Sequence, residues 1–314
     1  MKNDRYTCTS NTVKLYKHLD TLKLLQEGQV VPILIHMSPT NKCNLNCVHC
    51  CFKNREKNLD MPFDVAKSGI EQFYRLGTRA LELTGGGDPT LYPQINELIA
   101  FLHDMGFHLG INTNAISSGL VKEWDRFDWV RVSMNTFDYD VAIDIDPIRQ
   151  SGADLTACYI WNKNSTEETL NRVAAFCIKE NIVCRIAPDC IKPVDEIDAD
   201  MEMLKLLHVE PPLFLSDFNV TTTRHSLDCR LHMIKPCFYT DGYVYPCPSL
   251  ELAHENDCQL PLSFRICNHT EIYDFYKSEK ALAATERTCS YCKYAKQQVV
   301  LDELLMETEH NAFS

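Results

Sequence analysis

The chain has 314 residues, 45% hydrophobic and 24% charged, with a net charge of −12, a mixture that supports one large domain plus an appendage. No stretch reaches the roughly 18 consecutive apolar residues that a membrane helix needs, and the acidic balance works against a surface that tracks nucleic-acid phosphates. The opening MKNDRYTCTSNTVKLYKHLD lacks the apolar run of a secretory signal, so we expect a cytoplasmic protein whose sixteen cysteines are metal ligands, reactive thiols or core residues rather than disulfides.

Taken in chain order, residues 1–29 read as an N-terminal arm. Residues 30–190 alternate β-branched runs with helical patterns, the signature of repeated β/α units on a parallel sheet. Strands are expected over residues 31–37, 80–84, 108–113, 129–135, 155–161 and 182–187. Between them, Pro62 opens a helix with Ala66, Ile70, Phe73 and Tyr74 at helical spacing and Gly77 as its stop. Pro93 opens a second, with Ile95, Leu98, Ile99 and Leu102 on one face and Gly106 after it. Ser165 and Glu168 form a capping-box pattern ahead of Leu170, Val173, Ala174 and Cys177. Six such units imply an α/β fold, a partial (β/α)6 barrel, whose chemistry sits at the C-terminal strand ends.

The loop after the first of these strands carries CNLNCVHCC, residues 43–51. Cys43, Cys47 and Cys50 are spaced CxxxCxxC, whereas a closed zinc site takes four ligands, usually from two knuckles, and the second knuckle is missing from this loop. Cys51 abuts Cys50, and adjacent cysteines rarely hold one ion together. Three thiolates suit an iron–sulfur cube that leaves one iron open.

CxxxCxxC after the first strand of a β/α barrel resembles the radical S-adenosylmethionine (radical SAM) enzymes. The resemblance implies that Cys43, Cys47 and Cys50 hold a 4Fe–4S cluster whose open iron chelates S-adenosylmethionine, which is cleaved by one electron to a 5′-deoxyadenosyl radical. It also implies a reducing partner such as flavodoxin or ferredoxin. TGGGDPT, residues 84–90, ends the second strand where the family carries a GGEP-like segment near the methionine amino group. Gly85, Gly86, Gly87 and Asp88 are the matching residues, with Asp88 in place of the usual glutamate, and glycines suit close backbone approach. By the same resemblance Asn112, Asn114, Ser133 and Asn135 offer polar contacts to the cofactor, His49 meets its adenine, and Arg185 pairs with a carboxylate. Cys51 is either a redox partner or hydrogen-atom donor, or a small packed side chain. Cys158, Cys177 and Cys184 fall in strand or helix patterns and read as core.

Beyond residue 190 the β/α rhythm stops and seven of the sixteen cysteines fall between 229 and 292. We expect a connecting segment over 191–228, a small cysteine-rich β-hairpin and helix domain over 229–298, and a tail over 299–314. Asp241-Gly242 marks a hairpin between Cys237 and Cys247, and Cys289-x-x-Cys292 places two thiols for one metal. Two separated pairs would also suit zinc. The Cys229–Gly242–Cys247 spacing resembles the SPASM and twitch domains of radical SAM enzymes, which implies an auxiliary 4Fe–4S cluster held by four of Cys229, Cys237, Cys247, Cys289 and Cys292. Cys258 and Cys267 are spare or lie near the active site.

Relatives with this layout modify ribosomal peptides by crosslinking, oxidation or epimerisation, the reading we favour for this chain. A dehydrogenase or epimerase of an aminosugar or other small molecule is the alternative. The competing class is a non-catalytic zinc-binding module, against which the intact CxxxCxxC and GGGDPT argue.

Overall fold

The computed structural model describes residues 12–207, 210–215, 228–248, 264–286 and 294–306. Cys258, Cys289 and Cys292 lie outside the described residues.

The chain enters through α1, Leu19–Gln26. The sheet-and-helix alternation then runs β1 Ile35–Met37, α2 Phe63–Leu76, β2 Ala80–Leu83, α3 Ile95–Asp104, β3 His108–Thr113, β4 Trp129–Ser133, α4 Asp146–Ser151, β5 Asp154–Trp161, α5 Glu167–Glu180 and β6 Cys184–Pro188. All six expected strands form and pair in parallel in sequence order. The apolar side of each strand faces the helices: Leu81 and Leu83, Leu109 and Ile111, and Val130 and Val132 are buried, as are Ile70 and Phe73 of α2 and Leu98 and Leu102 of α3. Fully buried side chains of this size each contribute roughly 2 kcal/mol. The helix periodicity seen in the sequence is this contact surface.

Helix ends follow their local chemistry with one correction. Gly77 caps α2 in the left-handed region at φ 109°. The cap of α5 is Thr166, whose hydroxyl accepts from the Thr169 N–H at 3.1 Å, rather than Ser165. Ser165 is taken up elsewhere, accepting from the Tyr159 hydroxyl at 2.7 Å and from the Asn162 N–H at 3.0 Å.

The sheet does not stop at six strands. After α6, Val194–Leu206, β7 at Leu213–Leu215 adds in parallel to β6, so the segment expected as a connection extends the barrel edge. Next come β8 Asp228–Cys229, β9 Cys237–Phe238, β10 Tyr243–Tyr245, β11 Cys267–Asn268, α7 Ile272–Lys277, β12 Thr285–Glu286 and α8 Ala295–Leu305. The order in the large sheet is β11-β10-β9-β1-β2-β3-β4-β5-β6-β7. The hairpin turns at Gly242, φ 81°, with the Asp241 carboxylate accepting from the Tyr243 N–H at 3.1 Å. β9 lies parallel to β1, His36 opposite Cys237.

The cysteine-rich region therefore continues the barrel sheet. An unpaired β1 edge would leave backbone donors and acceptors unsatisfied, and β9 supplies them. The boundary expected at residue 299 also falls inside α8: Leu301 is fully buried, and Asp302 pairs with Arg230 at 2.6 Å.

Candidate active site

The loop that follows β1 is tied down at its base before it reaches the first cysteine. Thr40 Oγ1 donates to Asp60 Oδ1 at 2.6 Å, and Lys42 forms a short ion pair with the other Asp60 oxygen. The Asn41 N–H reaches Leu59 O at 2.9 Å, and its amide reaches Glu56 O at 2.9 Å. Residues 43–59 thus leave and rejoin the barrel at one point, and a closed loop of this kind holds its side chains in a fixed frame.

The glycine-rich segment after β2 closes against that base. The Gly87 N–H donates to Thr40 O and the Asp88 N–H to Lys42 O, both at 2.8 Å. A Cβ at Gly86 would stand 1.8 Å from Asn41 Oδ1, and one at Gly87 would stand 1.9 Å from Lys42 O. No other residue permits this approach. Asp88 turns away from the loop: its buried carboxylate accepts from the Thr90 N–H at 3.0 Å, Thr90 Oγ1 at 2.6 Å, Thr113 Oγ1 at 3.0 Å and the Asn114 N–H at 2.7 Å. Burial pushes this carboxyl upward against the pull of those donors.

Cys43, Cys47, Cys50 and Cys51 are all half-buried. Burial raises the Cys43 and Cys47 thiols, Cys47 to about 12, with the neighbouring Cys50 and Cys43 adding repulsion. Among the described residues no three His, Cys, Asp or Glu side chains gather tightly enough to hold a single metal ion. The donor set is three soft thiols that repel one another as thiolates in a poorly hydrated site, and it fits a multi-iron cluster that supplies the missing positive charge.

Four neighbours frame these thiols. Asn114 donates from Nδ2 to Asn44 Oδ1 at 2.6 Å and lies 3.8 Å from Cys43 Sγ. Arg55 places Nη1 3.7 Å from Cys50 Sγ. Tyr139, in the turn after β4, accepts the Val48 N–H at 2.9 Å. His49 is driven down to about 4 by burial, with Asp138 opposing, and its Nδ1 is buried without a hydrogen-bond partner among the described residues. The ring is therefore neutral near pH 7.

The other expected residues divide. Ser133 is half-buried at the end of β4, with Cys158 opposite it on β5, and Arg185 Nη2 reaches Cys158 Sγ at 3.5 Å. Cys158 thus sits half-buried beside a guanidinium, a departure from the core role its strand pattern suggested. Cys177 and Cys184 are buried as expected. Asn112 donates to Thr84 Oγ1 at 3.2 Å and to Glu82, leaving its Oδ1 buried and without a partner among the described residues. Asn135 is completely buried and its amide is committed, giving to Asp138 Oδ2 and Ile160 O at 2.8 Å and accepting from the Ile160 N–H at 2.9 Å. Its place is the link between β4 and β5.

Beneath the site a charged cluster centres on buried Glu82, which lies 3.6 Å from His36 Nε2 and 3.4 Å from Arg131 Nη2. A cavity of about 350 Å³, lined in part by Lys14, Ala80, Glu82, Asp128 and Trp129, opens at the opposite end of the strands. Sequence reasoning missed Arg55, Tyr139 and Glu82. Arg55 and Tyr139 stand in polar turns that look like solvated loop, and only the alternation of β2 hinted that Glu82 faces inward.

In the hairpin, Cys237 packs with Tyr239, Tyr245 and Phe264, and Cys247 and Phe52 pack against the same group. Cys229 lies opposite Thr285 where β8 meets β12.

Residues 37–156 match the Radical SAM superfamily model. Over 136 residues the chain is 30% identical to an uncharacterised protein of Methanocaldococcus jannaschii, covering 42% of this chain and 44% of that protein. It is 30% identical over 102 residues to an S-adenosylmethionine-dependent nucleotide dehydratase of a Thermoplasmatales archaeon, covering 31% and 36%. A probable GTP 3′,8-cyclase of Pyrococcus abyssi is 32% identical over 111 residues, covering 33% and 35%. The chain spans less than half the length of these relatives. Among solved structures, Streptococcus suis SuiB bound to precursor peptide SuiA superposes with a TM-score of 0.52 at 15% identity, over 90% of this chain and 76% of that one. The structure of anSMEcpe with bound AdoMet and a peptide gives 0.50 at 14% identity, over 90% and 86%. At such identities the superpositions speak for the fold, and they agree with the sequence match over the barrel. Three cysteines after β1, a glycine segment closed onto them and a parallel α/β sheet come together in the stretch, residues 37–156, that is similar to the Radical SAM superfamily.

Proposed function

We propose that this chain is a radical SAM enzyme that abstracts a hydrogen atom from a peptide substrate, leading to crosslinking, oxidation or epimerisation. The observation that carries the reading is the closure of the glycine segment onto the cysteine loop through the Gly87 and Asp88 N–H groups. Such closure would bring a cofactor's amino-acid end to the loop that carries the three thiols. Cys43, Cys47 and Cys50 would hold a 4Fe–4S cluster, and Gly85, Gly86, Gly87 and Asp88 would flank the methionine amino group. When bound, the cluster and S-adenosylmethionine supply one-electron cleavage to a 5′-deoxyadenosyl radical.

The chain's own residues bind and orient. Neutral His49 offers an uncharged ring to adenine without a desolvation cost for charge. Ser133, Asn112 and Arg185 offer polar contacts to the ribose and carboxylate, and the open acceptor of Asn112 suits a hydroxyl donor. Asn114 acts by tying the cysteine loop through Asn44, and Asn135 by linking the end of β4 to β5. Cys51 stands next to a ligand and is a candidate hydrogen-atom donor or redox partner. Four of Cys229, Cys237, Cys247, Cys289 and Cys292 would hold an auxiliary cluster, and a one-electron donor such as flavodoxin or ferredoxin would serve as reductant.

The peptide reading draws on two structures of this fold that hold peptides, and a net charge of −12 suits a cationic one. A small-molecule substrate is the second reading, favoured by sequence relatives named for acting on nucleotides. Anaerobic reconstitution with iron and sulfide tests the class. We expect reductant-dependent release of 5′-deoxyadenosine, abolished when Cys43, Cys47 and Cys50 are changed together to Ala. Release that persists in that variant, or zinc retained with no cleavage at all, would refute it.

A further inference from the structure

We propose that Arg55 is a positioning residue that sets the reduction potential of the cluster held by Cys43, Cys47 and Cys50, a role that rests on the cluster assignment above. The turn after Cys50 winds back on itself, with the Lys53 N–H donating to Cys50 O at 3.0 Å and the Arg55 N–H to Phe52 O at 3.1 Å. This carries a guanidinium under the cysteine loop. Nε donates to Asn41 O and Nη1 to Phe52 O, both at 2.7 Å, and the same Nη1 lies 3.7 Å from Cys50 Sγ.

Two short bonds to backbone carbonyls fix the planar group, so its charge is held at the thiol instead of swinging through solvent as a surface cation does. Two carboxylates, Asp88 and Asp138, act on the thiols in the opposite sense. Asn114 supplies a second, uncharged N–H to sulfur, 3.8 Å from Cys43.

N–H groups and positive charge at the cysteine sulfurs stabilise the reduced, more negative state of an iron–sulfur cluster and raise its potential. The step is the uptake of one electron by the cluster from the external one-electron donor, with no proton transferred. Arg55 makes that electron easier to accept. Removing its charge leaves the cluster more negative than the donor can readily reach.

The test is an EPR-monitored redox titration of the reconstituted full-length chain, following the signal that changes when S-adenosylmethionine is added. We expect Arg55→Gln to keep its iron and to shift the one-electron equilibrium about tenfold toward the oxidised state, 59 mV to more negative potential. Arg55→Lys keeps the charge but loses the fork, and its midpoint falls between the two. An Arg55→Gln chain with full iron and the wild-type midpoint overturns the role. Should Arg55→Gln fail to retain iron, Arg55→Lys decides: a midpoint shifted negative supports the role and an unshifted one overturns it. A wild-type chain that assembles no cluster overturns the cluster assignment as well, which separates that failure from failure of Arg55 alone.

Discussion

Asp88 stands where the resemblance to radical SAM enzymes leads one to expect glutamate, and its carboxylate is spent on this chain's own donors. Thr90, Thr113 and Asn114 together present two hydroxyls and two backbone N–H groups to it. A buried acceptor with this many donors costs most when it is removed, because each donor left unpaired keeps its desolvation penalty. Asp88→Ala should therefore lower stability by on the order of 3 kcal/mol, read as a fall in the urea midpoint of the iron-free chain. A loss within the scatter of surface substitutions would mean the carboxylate is not the latch described. The motif made Asp88 and its near partner Thr90 visible in the sequence, but the other two partners lie in β3 and the turn after it, 25 and 26 positions away. Spacing cannot reveal such contacts. Ser165 is a similar case at shorter range, since either Ser165 or Thr166 could have capped α5, and Tyr159 decided it by claiming the serine.

At the scale of elements, the six central strands and three long helices were legible because their apolar residues recur at the period of one buried face. What the period does not encode is the other face, where Glu82 on β2 meets His36 on β1, Arg131 on β4 and Asn112 on β3. Burial alone would raise the Glu82 carboxyl, but His36, Arg131, Lys235 and the Asn112 amide hold it down to about 2. An unfolded chain leaves it at the ordinary 4.5. A carboxyl depressed in the folded state gives stability that is fully present above about pH 4.5 and is lost as pH falls toward 2. The contribution near neutrality is on the order of 3 kcal/mol. Glu82→Gln should accordingly be less stable than wild type at pH 7, with the gap narrowing by about 2 kcal/mol at pH 3. Parallel urea unfolding at both pH values measures it, and a gap independent of pH would remove Glu82 from the acid-sensitive groups.

The whole molecule is less divided than its composition suggests. Prolines and the end of the β/α rhythm mark a change near residue 190, yet β9 joins β1 directly, and Cys237 ends up opposite His36 in the barrel sheet. A sequence can announce a hairpin, as Asp241-Gly242 does, without naming the edge the hairpin will cover. The consequence concerns the second set of cysteines. Cys237 and Cys247 touch the same aromatic group, which also packs on Phe52, just past the first cysteine loop. Cys229 lies opposite Thr285, four positions before Cys289. If these thiols hold an auxiliary cluster, a chain reconstituted with iron and sulfide carries about eight irons. Cys237→Ser and Cys247→Ser should each bring that to about four, while some uncoupled cleavage of S-adenosylmethionine persists, because Cys43, Cys47 and Cys50 are untouched. About four irons in the wild-type chain, unchanged in both variants, would leave the hairpin cysteines as packing residues and the chain with a single iron centre.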